Sequence, residues 1–306
     1  MTGYVIRRLL QIVPVLIGIT LVAFLVFYFT PGDPVALMLG EIGTPEVEAQ
    51  LRVSLGLDQP AYLQYLRFLG GLVQGDLGTS YLSRLPVTTT LWPALWATFQ
   101  LTTSALLVAI LIGVPVGVLA AVKRARFLDY FSMSFAVAGV SAPVFWTGML
   151  FIYLFSLKLR WFPAGGSESV SSIVLPMFTL GIFCAGFLAR MTRSCMLEVL
   201  GQDYIRTARA KGLSETIVLA KHAFRNAAIP IVTVVGLQFG SLMGGSILTE
   251  TVFAWPGIGR VVIQAIFQRD APTVQGGIVI IGTMFSLINL AVDLLYAKLD
   301  PSIRYS

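Results

Sequence analysis

The sequence predicts an all-α, polytopic membrane protein with six transmembrane helices, and three observations carry that prediction. The first is charge: only 12% of the 306 residues are Asp, Glu, Lys or Arg, and 56% are hydrophobic. A soluble domain carries about 25% charged residues. The second is the length of the apolar runs. A helix needs about 20 apolar residues to cross about 30 Å of hydrocarbon, and residues 9–29, 98–122, 131–157, 173–191, 228–249 and 276–297 meet that need, some with polar interruptions. The third is the placement of cations. The N-terminus, the 123–130 and 190–227 loops and the C-terminal tail hold 14 Lys and Arg, against 7 in the 30–97, 158–172 and 250–275 loops. Positive charge marks the cytoplasmic face, so both termini and the 190–227 segment are expected there. The net charge of +6 is then a signal of topology. A nucleic-acid binder would need a soluble basic face, and no such partner is expected.

The first run follows Arg7 and Arg8, as a secretion signal would. It is longer than the usual apolar region of a signal, and no small-residue cleavage site follows it, so an uncleaved membrane helix is expected. The 30–97 loop is too long for a bare connection. Within it Tyr62, Tyr65, Leu66, Leu69 and Leu72 recur at helical spacing, which suits an amphipathic helix on the outer membrane face, a docking surface there, or a cap on the bundle.

Pro115 and Pro143 fall inside the second and third spans, where each removes a backbone donor and can bend its helix. Gly113, Gly117 and Ala121 repeat every four residues, as do Gly236, Gly240 and Gly244. Such stripes let helix backbones approach closely in lipid. Both suit packing inside the bundle; the second also suits a moving interface or a pathway. Cys184 and Cys195 lie on or beside the fourth span, about 16 Å apart along a helix. A disulfide needs Cα atoms within about 7 Å, so free thiols are expected.

Ion-coupled carriers usually show ionisable residues deep in the membrane. Here Asp293, one turn from Asn289, is near the cytoplasmic end of the last span and is expected to have an interfacial or packing role. The single His222 excludes paired-His zinc motifs, no metal site is expected, and HExxH, CxxC and GxSxG patterns are absent. No GxxxxGK[ST] phosphate loop occurs either. A nucleotide that powers this protein would therefore be bound by another chain, and the chain is expected to be no enzyme.

The most polar segment is DYIRTARAKGLSETIVLAKHAFRNAAIP, from 203 to 230. Tyr204, Ile205, Arg206, Thr207, Ala208, Arg209, Ala210 and Lys211 suit one short helix. Leu213, Ile217, Ala220 and Phe224 suit the apolar face of a second helix. Gly212 stands between them, where a tight turn needs positive φ. The expected result is a cytoplasmic helix pair between the fourth and fifth spans, set either in a soluble partner's groove or flat on anionic lipid.

TARAKG followed by HAFRNAAIP resembles the cytoplasmic signature loop of permeases in ATP-binding-cassette importers, whose general form is Glu-Ala-Ala, three residues, then Gly. Arg206, Thr207 and Ala208 occupy the Glu-Ala-Ala positions; Gly212 and Pro230 match, and the Arg at the Glu position departs from the form. The resemblance extends in order through RRLLQIVPVLIGITLVAFLVF, PGDP, LGLDQP, GDLGTS, SAPVFWTGMLFIYLFS, GGSILTETVFAWPGIGR and NLAVDLLYAKLDPSIRY. It is closest to the dipeptide and oligopeptide branch, which also includes nickel and glutathione transporters.

This resemblance implies a type I importer permease fold with cytoplasmic coupling helices. It implies an N-terminal helix at 1–30, an extracytoplasmic region at 31–94, a permease core at 95–297 and a cytoplasmic tail at 298–306. The implied partners are a second homologous permease, two cytoplasmic ATPases that bind ATP and Mg, and an extracytoplasmic solute-binding protein, within the lipid of the bacterial inner membrane. Tyr204, Arg206, Thr207, Ala208, Arg209, Ala210, Lys211 and Gly212 are implied as the ATPase-coupling loop. Gly236, Gln238, Gly240 and Gly244 are candidates for a translocation path or permease interface. No cofactor is expected in this chain, and the cargo is expected to be a di- or oligopeptide, with nickel, glutathione or another small solute as alternatives.

Overall fold

The computed structural model describes residues 2–29 and 44–299, together with Val35 and Leu39. The PGDP stretch at 31–34 and the tail beyond 299 lie outside the described residues. The elements in order are α1 (Thr2–Phe29), α2 (Pro45–Leu55), α3 (Ala61–Val73), α4 (Val87–Val122), α5 (Phe127–Ser141), α6 (Val144–Phe151), α7 (Val174–Leu200), α8 (Asp203–Ala210), α9 (Glu215–Gly245), α10 (Ile247–Val252), α11 (Ile258–Phe267) and α12 (Ala271–Leu299). Among the described residues no strand forms, only an isolated bridge between Thr79 and Pro86. Among the described residues five helices are long and apolar enough to cross a bilayer, and the α5–α6 pair makes a sixth if it is counted as one bent span.

The chain divides into two compact units, residues 99–255 with 285–306 and residues 2–98 with 256–284. At the centre of the first is α7, which buries Leu180, Cys184, Leu188, Thr192 and Met196 among others. The close approach of α4 to α7 depends on small residues. A Cβ on Gly113 would come within 2.7 Å of the Ala185 carbonyl, one on Gly117 within 2.6 Å of Thr192 Cβ, and one on Gly181 within 2.7 Å of Val108 Cγ1. Lipid supplies no hydrophobic drive between helices, so such backbone proximity is what gives van der Waals contact here. Pro115 sits in the unbroken helix α4.

The third span differs from the single helix expected over 131–157. α5 and α6 meet at a bend of 96°. Proline disfavours the helical conformation for the residue before it, and here Ala142 is extended, with ψ 131°. Pro143 then begins α6, whose last turn widens into a π-helix over Ile152–Lys158. The base of α5 is tied to α7 by a two-pronged ion pair. Arg193 Nε donates to Asp129 Oδ1 at 2.7 Å and its Nη2 donates to Oδ2 at 2.8 Å. Oδ2 also accepts from the Ala125 backbone N–H at 3.0 Å. Both cysteines are free and buried.

In the second unit, α2 carries the expected punctuation of a short helix: Thr44 as N-cap, Pro45 at its start, Glu46 and Glu48 in the first turn, and Gly56 as a left-handed C-cap. α3 turns Tyr65 toward α1. The Tyr65 and Thr20 hydroxyls lie 3.0 Å apart, and the Tyr65 ring is 5.4 Å from that of Phe24. Tyr62 and Leu66 on the other side of α3 remain exposed. Distant stretches of sequence converge on Asp270, which is buried and caps α12. It accepts from Ser80 Oγ at 2.6 Å, Thr273 Oγ1 at 2.6 Å and the Tyr81 N–H at 2.9 Å. Burial first, and the nearby Asp270 charge second, push the Tyr81 phenol above its ordinary pKa. The first N–H of α11, at Ile258, is capped by Thr98 Oγ1 at 2.9 Å.

Candidate coupling segment

α8 is a two-faced helix of eight residues. Ile205 and Ala208, three positions apart and therefore on one face, are buried against a cluster that includes Ala121, Leu188, Met196, Val218, Ala223 and Ala227. Full burial of an Ile side chain contributes about 1.5–3 kcal/mol, so this pair holds α8 to its unit. Tyr204, Arg206, Thr207, Arg209, Ala210, Lys211 and Gly212 are all exposed. The Arg206 side chain is 78% exposed and among the described residues pairs with Asp203, at 3.6 Å.

The turn after α8 is a Schellman motif. The Leu213 N–H reaches back to the Ala208 carbonyl at 3.4 Å, and the Gly212 N–H to the Arg209 carbonyl at 2.9 Å. Gly212 has φ +77°, and no heavy atom lies within 4 Å of where its Cβ would be. Glycine is needed there for backbone conformation and not for space. Two further contacts fasten α8 to α9. Arg209 Nε donates to Glu215 Oε1 at 2.8 Å across the turn. Asn226 Nδ2 donates to the Tyr204 hydroxyl at 2.8 Å and to the His222 carbonyl at 3.1 Å.

The structure corrects the expected helix pair in two respects. Only α8 is a separate helix; the second half of the segment begins α9, which continues from Glu215 through the fifth span to Gly245. Its early part, Val218–Phe224, is a π-helix. The residues it buries are Val218, Ala223, Ala227 and Ile231, spaced five, four and four. Leu213 and Ile217 are exposed instead: Leu213 lies in the turn before α9, and the wider turn after Ile217 shifts the later buried positions off the register that a uniform 3.6-residue period assigns.

The glycine stripe of α9 meets the last helix. A Cβ on Gly236 would collide with the Val292 side chain, and one on Gly240 would lie 3.3 Å from the Phe285 ring. Gly244 and Gln238 are half-buried. Sequence reasoning also missed three buried acids, Asp270 described above and two more. Glu250 falls in the 250–275 stretch that reads as an outer loop, yet it is fully buried in α10 and accepts from Ser246 Oγ at 2.8 Å; the serine one turn earlier is its local signal. Asp129 falls in the 123–130 stretch that reads as a loop, and its Arg193 partner, 64 positions away, gives no signal in the sequence.

The comparisons with known proteins agree with this architecture. Residues 113–305 match the family described as "Binding-protein-dependent transport system inner membrane component", and residues 1–106 match its N-terminal companion, "Binding-prot-dependent transport system membrane comp, N-term". The chain is 44% identical to the dipeptide transport system permease protein DppB of Alkalihalophilus pseudofirmus, with both chains covered in full. It is 46% identical to the glutathione transport system permease protein GsiC of Escherichia coli K12, again over the full length of both. Among solved structures, an inward-facing MetNI methionine ABC transporter matches with a TM-score of 0.60 at 22% identity. That match covers 70% of this chain and 97% of that one, and shows the shared fold. The chain belongs to the family of binding-protein-dependent transport system inner-membrane components.

Proposed function

We propose that this chain is the membrane permease of an ATP-driven importer of short peptides, and that α8 is the surface by which a cytoplasmic ATPase drives it. The observation that carries the docking assignment is the division of α8. Ile205 and Ala208 lock one face into the core, while Arg206, Thr207, Ala210 and Lys211 stand exposed on a helix that leads through one glycine turn into α9. A load on the exposed face is thereby passed to a spanning helix. The names of the full-length relatives, a dipeptide permease and a glutathione permease, support a short peptide as cargo, since glutathione is itself a tripeptide.

In this reading both termini and α8 are cytoplasmic, in line with the 14-to-7 distribution of Lys and Arg. A second permease completes the path, two ATPases bind ATP and Mg, and a solute-binding protein delivers the peptide from outside. Gln238 is proposed to line the path; Gly236 and Gly240 serve it indirectly, by seating α9 against Val292 and Phe285.

Uptake of a radiolabelled dipeptide, with unlabelled glutathione as competitor, tests the cargo. Loss of uptake on deletion of the gene, restored by returning it, is the expected result. Unchanged dipeptide uptake, with uptake of labelled glutathione lost in a parallel assay, would reassign the cargo to the tripeptide. For the docking surface, reversing charge at Arg206 and Arg209 should release the ATPases from the purified complex or uncouple hydrolysis from uptake. Both activities persisting unchanged would remove α8 from that role.

A further inference from the structure

A cavity of about 840 Å³ opens in the second unit, and none of the roles above uses it. Its charge is unusual for its place. The 30–97 and 250–275 loops hold five cations, Arg52, Arg67, Arg84, Arg260 and Arg269, and three of them, Arg52, Arg67 and Arg269, line this one cavity. The acid in the lining is Asp76, and its Oδ1 is engaged by the Gly78 N–H at 2.8 Å.

Arg67 is the informative member. Its guanidinium makes no hydrogen bond or ion pair among the described residues. It lies over the backbone of Gly56, where a Cβ would collide with it. The glycine that ends α2 with positive φ therefore also makes room for an unpaired cation at the cavity. Part of the remaining wall is aromatic, with Phe24 and Tyr28 from the end of α1, their rings 5.8 Å apart, and Phe68 from α3; Ser54, Gln64 and Gln275 add neutral polar groups.

What occupies such a cavity follows from its surroundings. Tyr28 of α1 lines it and is half exposed, and the same helix exposes Leu21 and Leu25, a turn or less from the lining Phe24. A ligand that satisfies both the guanidinium groups and this apolar surface is an anionic amphiphile. We infer that the cavity binds the phosphate headgroup of an anionic phospholipid from the outer leaflet, with Arg67 as its principal ligand and the acyl chains lying along α1. The leaflet rests on the orientation proposed above; the headgroup chemistry does not. The volume is within the range of small-molecule sites, about 300–1,000 Å³.

The test is a lipid titration of the full chain within its assembled transporter, purified in mild detergent, with bound lipid counted by native mass spectrometry. Phosphatidylglycerol is compared with phosphatidylcholine of matched acyl chains. One Arg near an anionic headgroup changes affinity by about fivefold, so a preference of at least that size is expected for the wild type. It should largely vanish in Arg67→Gln and be mostly retained in Arg67→Lys. Arg67 is exposed, so neither change should unfold the chain. Equal binding of the two lipids, or an undiminished preference in Arg67→Gln, overturns the inference. Displacement of phosphatidylglycerol by equimolar inorganic phosphate or by a dipeptide overturns the lipid assignment in favour of that solute. Labelling of Val73→Cys by an impermeant thiol reagent on intact cells reads the leaflet separately: labelling only after lysis would sink the orientation and leave the headgroup result standing.

Discussion

Asn226 on α9 and Tyr204 on α8 are joined by a hydrogen bond of 2.8 Å, and the same Asn226 amide also bonds the His222 carbonyl at 3.1 Å inside the π-helix. One side chain thus links the exposed coupling helix, the widened turn and the start of a spanning helix. A hydrogen bond of this kind contributes about 0.5–1.5 kcal/mol to stability, too little to decide whether the chain folds. Its value is positional. Tyr204→Phe and Asn226→Ala are expected to leave the amount of assembled transporter unchanged while lowering peptides moved per ATP hydrolysed in proteoliposomes. The double variant should be no worse than either single one. Additive losses would mean that the two side chains act separately.

Gly212 is constrained by φ +77° with open space around it. A residue tolerant of the left-handed region should therefore replace it better than a small one that is not. Asn is the tolerant choice, while Ala carries a cost of about 1–2 kcal/mol and branched Val more. Uptake should rank Gly, then Asn, then Ala, then Val, with membrane insertion intact throughout. Full transport by Gly212→Val would show that the turn is dispensable.

Gly236 presents the opposite constraint. Its backbone is ordinary helix and the space beside it is taken by Val292. Gly236→Ala is expected to destabilise the protein by about 1–3 kcal/mol, the usual cost of overpacking. Val292→Ala in the same chain should recover most of that loss, read as the thermal midpoint in detergent. Failure of the second change to help would place the Gly236 contact elsewhere.

The Asp129–Arg193 pair holds the base of α5 to α7 with two bonds of 2.7 and 2.8 Å. The Asp129 side chain is 5% exposed and that of Arg193 is 29% exposed. Removing one partner of a fully buried pair costs about 3–5 kcal/mol. Partial solvation of the arginine reduces that, and Asp129→Asn is expected to cost about 1–3 kcal/mol. The loss should be larger than for Glu215→Gln, whose partner Arg209 is exposed. Thermal midpoints of the two variants, measured side by side, check the ranking.

What the sequence by itself determined is whatever depends on neighbours a few positions apart or on composition. Low charge and apolar runs of bilayer length predict an all-helical membrane chain. The order Tyr204 to Gly212 predicts a short helix ended by a left-handed turn, and both features are where that order puts them. The Pro143 bend was legible as a possibility, because the restriction acts on the adjacent residue; its angle of 96° was not.

Tertiary structure decided the rest. The buried face of α9 depends on one widened turn that moves every later side chain, and a regular period cannot anticipate it. Asp129 finds Arg193, and Ser80 finds Asp270 across 190 positions. Such pairs obey no periodicity, and an acid in a loop reads the same in sequence whether it is solvated or locked. The glycines of α9 are the plainest instance. Spacing alone marked Gly236 and Gly240 as a surface for close approach, and only folding brought Val292 and Phe285 against it, because in lipid the fit between helices selects the partner.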